Sequence, residues 1–200
     1  HGMRETAVFE LFVRKLPPNR NIMIAAGLEQ ALDFLERQRF TAEDLEWVEH
    51  CGLFPREFAR HLENLVFTGD VHAMPEGTIF FPNEPVLRVT APMPQAQLAE
   101  SRLLNLVHFE TLVATKAARS VLAAPGKRLV DFGLRRAHGA EAGLLAARAS
   151  YLAGFAGTAT VLAGARMGIP LFGTMAHSFV EAHDDEAAAF ERFAQAYPGG

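Results

Sequence analysis

The feature that most constrains the fold is the alternation of element types after Lys127. Lys127 to Phe132 reads as a strand, Glu141 to Leu152 as a helix, and Phe155 to Ala159 as a short link with strand character. Val161 to Met167 then reads as a helix and Ile169 to Thr174 as a strand. Asp184 to Tyr197 reads as a helix with Asp184 or Asp185 as its cap. Strands alternating with helices predict parallel β/α units. In such folds chemistry gathers where strands end and loops begin.

Two strand ends carry polar groups worth following. Arg128 to Gly139 begins as an apolar run, stops at Asp131-Phe132-Gly133, and then brings Arg135, Arg136 and His138. The second end runs Phe172-Gly173-Thr174-Met175-Ala176-His177-Ser178-Phe179. If the strands are parallel, both tails emerge on one face. Arg135 can then pair with a carboxylate through two parallel hydrogen bonds, and Phe132 can stack on a flat ring. Thr174 can donate its hydroxyl, and His177 can act as base, nucleophile or ligand. Each residue also has a plainer reading. Paired arginines are commonly solvated, a phenylalanine is by default a core residue, and His177 suits a hydrogen-bonded structural role. His50, His72, His108 and His138 read as structural or solvated.

The first half is patterned differently. Ala7 to Val13 alternates as a strand, and Arg14 to Asn21 is a proline-broken loop. Leu28, Ala31, Leu32 and Leu35 form one helical face. Thr41 and Asp44 make a capping-box pattern for a second helix, and Pro55 opens a third with Phe58, Leu62 and Leu65. Val71 to Met74, Thr78 to Phe81 and Val86 to Thr90 are short β runs separated by Pro75-Glu76-Gly77 and Pro82-Asn83-Glu84-Pro85. They predict a small antiparallel unit. A boundary is expected at Pro92 to Pro94, dividing the chain into 1–95 and 96–200. The long helix that follows is expected to bury Leu98, Leu103, Leu104, Val107, Leu112 and Val113.

Composition excludes several classes. The formal net charge of -4 gives no global field for nucleic acid or anionic lipid, and no basic stripe interleaves with aromatics. No apolar run reaches the roughly 18 to 20 residues of a membrane helix. Cys51 is the sole cysteine, which rules out an intramolecular disulfide and suits a reducing cytoplasm. His177, His183, Asp184 and Asp185 lie close in sequence but match no standard metal spacing, so no metal ligand is assigned. A Walker-type loop and a nucleophile elbow are both absent. The chain begins at His1 close to a strand and ends in a Pro198-Gly199-Gly200 loop signal, so both ends read as cuts.

Taken together, Asp131-Phe132-Gly133-Leu134-Arg135-Arg136-Ala137 and Gly173-Thr174-Met175-Ala176-His177-Ser178-Phe179 resemble the nicotinate phosphoribosyltransferase family. So do Pro75 to Pro82, Leu103 to Val107 and Ser150 to Phe155, in the same order along the chain. The resemblance implies an α/β fold of the type II phosphoribosyltransferases, with an N-terminal sandwich-like domain and the first part of an irregular α/β barrel. It implies the joining of nicotinate to phosphoribosyl pyrophosphate, with coupled ATP hydrolysis and magnesium, in NAD salvage by a cytoplasmic homodimer. Related pyridine phosphoribosyltransferases, acting on nicotinamide or quinolinate, and a non-catalytic module of the same fold are the alternatives. On this likeness His177 matches the histidine phosphorylated by ATP, Phe132 the ring that stacks on the pyridine, Arg135 the arginine near the base, and Thr174 a nicotinate contact. The nicotinamide enzyme has an aspartate shortly after the Phe155 position. Here Gly157, Thr158, Ala159 and Thr160 bring no carboxylate, which favours the acid. Members usually carry glutamine where His138 stands. The family's N-terminal tyrosine segment and the C-terminal half of its barrel have no counterpart in these residues, so the chain alone is expected to be inactive.

Overall fold

The structure is a computed structural model that describes residues 3–198; His1-Gly2 and Gly199-Gly200, read from sequence as open ends, lie outside the described residues. Strand β1 (Thr6–Phe12) pairs antiparallel with β5 (Pro85–Pro92), which pairs on its other side with β3 (Asp70–Ala73). Alternation sets which face is buried. Phe9 and Leu11 pack on the core, whereas Val8 is exposed. The short strand β4 (Ile79–Phe80) does not join this sheet. It pairs instead with β2 (Met23–Ile24), which the sequence pattern does not reveal. Two residues cannot display a period, and the position of β2 is fixed from a distance. The Ile24 amide donates to Thr115 Oγ1 at 3.0 Å and the Ala26 amide to Thr111 Oγ1 at 3.3 Å.

Helices α1 (Leu28–Arg37), α2 (Ala42–His50) and α3 (Arg56–Glu63) lie between β2 and β3 in the chain. Both threonine acceptors of β2 belong to α4 (Met93–Ala123), a helix of 31 residues. Pro94 sits in its first turn, where a missing N–H costs nothing. At Pro92 to Pro94 the chain passes directly from β5 into α4. The helix's buried stripe differs from the expected one. Leu103 and Val107 are buried, but Leu98, Leu104 and Leu112 are exposed. The inner face is instead Ala96, Ala99, Leu103, Leu106, Val107, Glu110, Thr111, Ala114, Thr115 and Ala117. Small residues and threonines let β2 and the next helix come close, whereas a leucine stripe would hold them off.

The second half contains β6 (Val130–Asp131), a 3-10 turn (Leu134–Arg136), α5 (Ala140–Leu152), β7 (Gly157–Thr158), α6 (Val161–Met167), α7 (His177–Glu181) and α8 (Glu186–Ala196). β6 and β7 are parallel, and Thr158 forms a parallel bridge with Leu171. The expected strand from Ile169 to Thr174 contracts to that bridge, since Pro170 has no N–H to extend the ladder. Asp185 caps α8 by accepting from the Ala188 amide at 2.9 Å.

The main core lies between the two small N-terminal sheets, α1 and the first half of α4, around Phe80, Met23, Leu87, Val89 and Leu103. Smaller clusters join β2 to α4 and α5, α2 to α3, and α5 to α6. One polar cluster crosses the seam between the halves. Arg148 of α5 donates to both Glu76 oxygens at 2.9 and 2.7 Å, to Glu110 of α4 at 3.2 Å, and to Glu29 of α1. Glu76 also accepts the amides of Gly27 and Leu28, at 2.7 and 3.1 Å, at the start of α1. Burial acts to raise the Glu76 carboxyl, but the hydrogen bonds and charge of Arg148, with the two amides, hold it below the ordinary value. Glu110 is fully buried and one of its oxygens has no partner. Burial pushes its carboxyl up to about 7, against the pull of Arg148.

Candidate active site

Because β6, β7 and Leu171 run parallel, their C-terminal ends leave the sheet at one edge. Phe132 to Arg136 follow β6, Ala159 and Thr160 follow β7, and Phe172 to His177 follow Leu171. The central strand is held from both sides. The Ala159 amide donates to the Asp131 carbonyl at 2.8 Å, the Thr158 amide to the Pro170 carbonyl at 3.0 Å, and the Phe172 amide to the Thr158 carbonyl at 3.0 Å. Gly157 makes this approach possible. A Cβ there would lie 2.2 Å from the Pro170 carbonyl oxygen and 2.7 Å from the Phe172 ring.

At the first strand end, Phe132 is 49% exposed, so a face of its ring is open to a ligand. Arg135 is exposed on the 3-10 turn, and His138 is exposed beyond it. The turn is anchored by Leu134, which packs against Gly143 of α5 so closely that a Cβ at 143 would meet it at 2.4 Å. At the other end, Thr174 is exposed in the loop and His177 is exposed at the first position of α7. A contact joins Phe172 to the chain before β6. The Arg128 guanidinium lies over the Phe172 ring, 5.7 Å from its centroid. Among the described residues no three His, Cys, Asp or Glu side chains converge to hold a metal ion.

The edge thus presents a ring, a guanidinium, a hydroxyl and an imidazole, all solvent-accessible and all following parallel strands. Such groups can stack on a flat ring, pair with a carboxylate and donate hydrogen bonds. Hidden beneath it is a hydrogen-bonded layer. Asp131 Oδ1 accepts the Gly133 amide at 2.9 Å and Oδ2 accepts the Thr158 hydroxyl at 2.8 Å; Thr158 Oγ1 in turn accepts the Thr160 amide at 3.0 Å. The sequence marks Asp131 only as the end of an apolar run. The available signal was the pairing of an aspartate two residues before a glycine, the spacing of a side chain that bonds forward to a backbone amide.

Residues 1–108 match the nicotinate phosphoribosyltransferase (NAPRTase) N-terminal domain, and residues 127–197 match the nicotinate phosphoribosyltransferase (NAPRTase) family. The chain belongs to the nicotinate phosphoribosyltransferase family. Its relatives include nicotinate phosphoribosyltransferase pncB2 of Mycobacterium tuberculosis, 55% identical over 196 residues, which are 98% of this chain and 42% of that protein. The crystal structure of human nicotinic acid phosphoribosyltransferase superposes with a TM-score of 0.81 at 42% identity, covering 90% of this chain and 37% of the human one. The nicotinate-nucleotide pyrophosphorylase of Pyrococcus furiosus superposes with a TM-score of 0.76 at 27% identity, over 96% of this chain and 42% of that one. The α/β fold is therefore that of the type II phosphoribosyltransferases. The chain spans about two fifths of the length of these relatives.

Proposed function

We propose that the protein joins nicotinate to phosphoribosyl pyrophosphate, giving nicotinate mononucleotide and pyrophosphate, as a step of NAD salvage. The observation that supports this most directly is the 55% identity to a relative named for that reaction. On this reading Phe132 stacks on the pyridine ring, Arg135 pairs with the nicotinate carboxylate, and Thr174 donates to it. Gly157 to Thr160 bring no carboxylate to repel the acid. The reaction develops positive charge at the ribose carbon as pyrophosphate departs, so the protein's part is to hold the ring nitrogen in line and stabilise the leaving group.

ATP enters through His177. An imidazole nitrogen takes its terminal phosphoryl group, ADP leaves, and the added negative charge lies beside the second substrate. Magnesium accompanies the phosphates of ATP and phosphoribosyl pyrophosphate, whose oxygens supply its ligands together with water. The working unit is a homodimer, and the single cysteine supports a cytoplasmic location. Residues 1–200 alone, spanning 42% of the M. tuberculosis relative, are expected to show no turnover.

The test compares nicotinate, nicotinamide and quinolinate as substrates of the native gene product with phosphoribosyl pyrophosphate. Nicotinate is expected to be used best. Incubation with labelled ATP is expected to give an acid-labile phosphate that is lost in His177→Ala. Preference for another pyridine would overturn the substrate, and a label that survives the substitution would overturn the role of His177.

A further inference from the structure

We propose that Asp131 is a positioning residue for the substrate ring, fixing Phe132 and Arg135 through both of its carboxylate oxygens. The assignment rests on the reading that this edge holds a pyridine. Its basis is that Phe132 needs such a device. The ring is half exposed, so packing cannot set its place, and the strand that precedes it is only two residues long. The backbone on either side is nevertheless held. The Asp131 carbonyl accepts the Ala159 amide at 2.8 Å, and the next free amide after Phe132, that of Gly133, donates to Asp131 Oδ1 at 2.9 Å. The Gly133 carbonyl then accepts the Arg136 amide at 2.8 Å, so the same clamp carries into the turn that bears Arg135.

A carboxylate suits this arrangement, because both of its oxygens accept. Thr158 is fully buried, its oxygen accepts the Thr160 amide, and its hydroxyl donates to Asp131, at 2.8 Å from Oδ2 and 3.3 Å from the main-chain carbonyl. Both Asp131 oxygens thus meet donors. An asparagine keeps only one acceptor, so the Gly133 amide and the Thr158 hydroxyl can no longer each bond to a side-chain oxygen of their own, and the hydroxyl is left the longer bond to the carbonyl of residue 131, at 3.3 Å. Gly133 is fitted to the same purpose. Its backbone, at φ -83°, is open to any residue, but a Cβ would come 2.8 Å from Asp131 Oδ1. The glycine gives the carboxylate room beneath the amide. A chain of bonds therefore runs from the start of α6 at Thr160, through Thr158 and Asp131, to the residues that face the ligand.

The experiment uses the native gene product and the variants Asp131→Asn, Thr158→Val and Thr158→Ser. In Asp131→Asn the KM for the pyridine is expected to rise about tenfold while that for phosphoribosyl pyrophosphate stays within about twofold, the signature of a displaced ring site. Exchange of the Gly133 amide is expected to quicken about tenfold in the same variant. Thr158→Val is expected to move both measurements the same way, and Thr158→Ser, which keeps the hydroxyl, to restore them. A folded Asp131→Asn protein with unchanged pyridine KM and unchanged Gly133 exchange overturns the proposal. If that variant does not fold, Thr158→Val decides by the same two measurements. A wild-type protein that uses no pyridine would sink the functional reading instead, and amide exchange would still decide whether Asp131 clamps the turn.

Discussion

Arg148 shows how far a single residue's meaning lies from its sequence neighbours. In the chain it is one basic residue in an alanine-rich helix. In the fold its side chain is 11% exposed and contacts three carboxylates, one of them 72 residues away. Replacing it with methionine is expected to cost about 3 kcal/mol, because the half-buried Glu76 and the fully buried Glu110 would lose their cation. Glu29, 70% exposed, contributes little, and Glu29→Ala is expected to cost less than about 1 kcal/mol. Urea unfolding of the two variants checks the contrast. Nothing within a helical window reports a partner so distant, which is why this cluster was not legible. The capping box was legible for the opposite reason. Thr41 and Asp44 are three residues apart, and they make both predicted bonds, at 3.2 and 2.8 Å.

At the scale of elements, the long periodic segments were readable and the two-residue strands were not. β1 and α1 carry their own pattern across several residues. β2 and β7 are defined by their partners, β2 through the hydroxyls of Thr111 and Thr115, and β7 through backbone bonds on both edges. The glycine in β7 gives this a test. Gly157→Ala places a methyl against the Pro170 carbonyl, which is backbone and cannot swing aside. A loss of about 1–3 kcal/mol is expected, together with displacement of Phe172 to Thr174 from the strand edge. Gly173→Ala is the control, since a Cβ there meets nothing within 4 Å. Thermal unfolding separates them, and equal stability of the two variants would show that β7 does not need the close approach. Phe132 and Arg135 illustrate the middle ground. A strand ending in a glycine marked them from sequence, but the carboxylate beneath them became visible only once β7 lay alongside β6.

For the molecule as a whole, the polar seam makes stability depend on pH in two opposed ways. Glu110 binds its proton more tightly folded than unfolded, with its carboxyl raised from 4.5 to about 7. Stability from that proton is complete below the unfolded value and is lost as pH rises towards 7, amounting to up to about 3 kcal/mol. Glu76 has its carboxyl lowered, so its contribution is complete above the unfolded value of 4.5 and is lost as pH falls through that range. The two together predict greatest stability at mildly acidic pH, where Glu76 is ionised and Glu110 still carries its proton. Arg148 serves both conditions, since it pairs with Glu76 whether or not Glu110 is charged. Glu110→Gln removes one of the two dependences while keeping an oxygen for Arg148. The wild-type midpoint in urea is expected to fall between pH 5 and pH 8, and that of Glu110→Gln to stay nearly level. A parallel fall in both proteins would place the neutral-range titration elsewhere and leave Glu110 an ordinary partner of the seam.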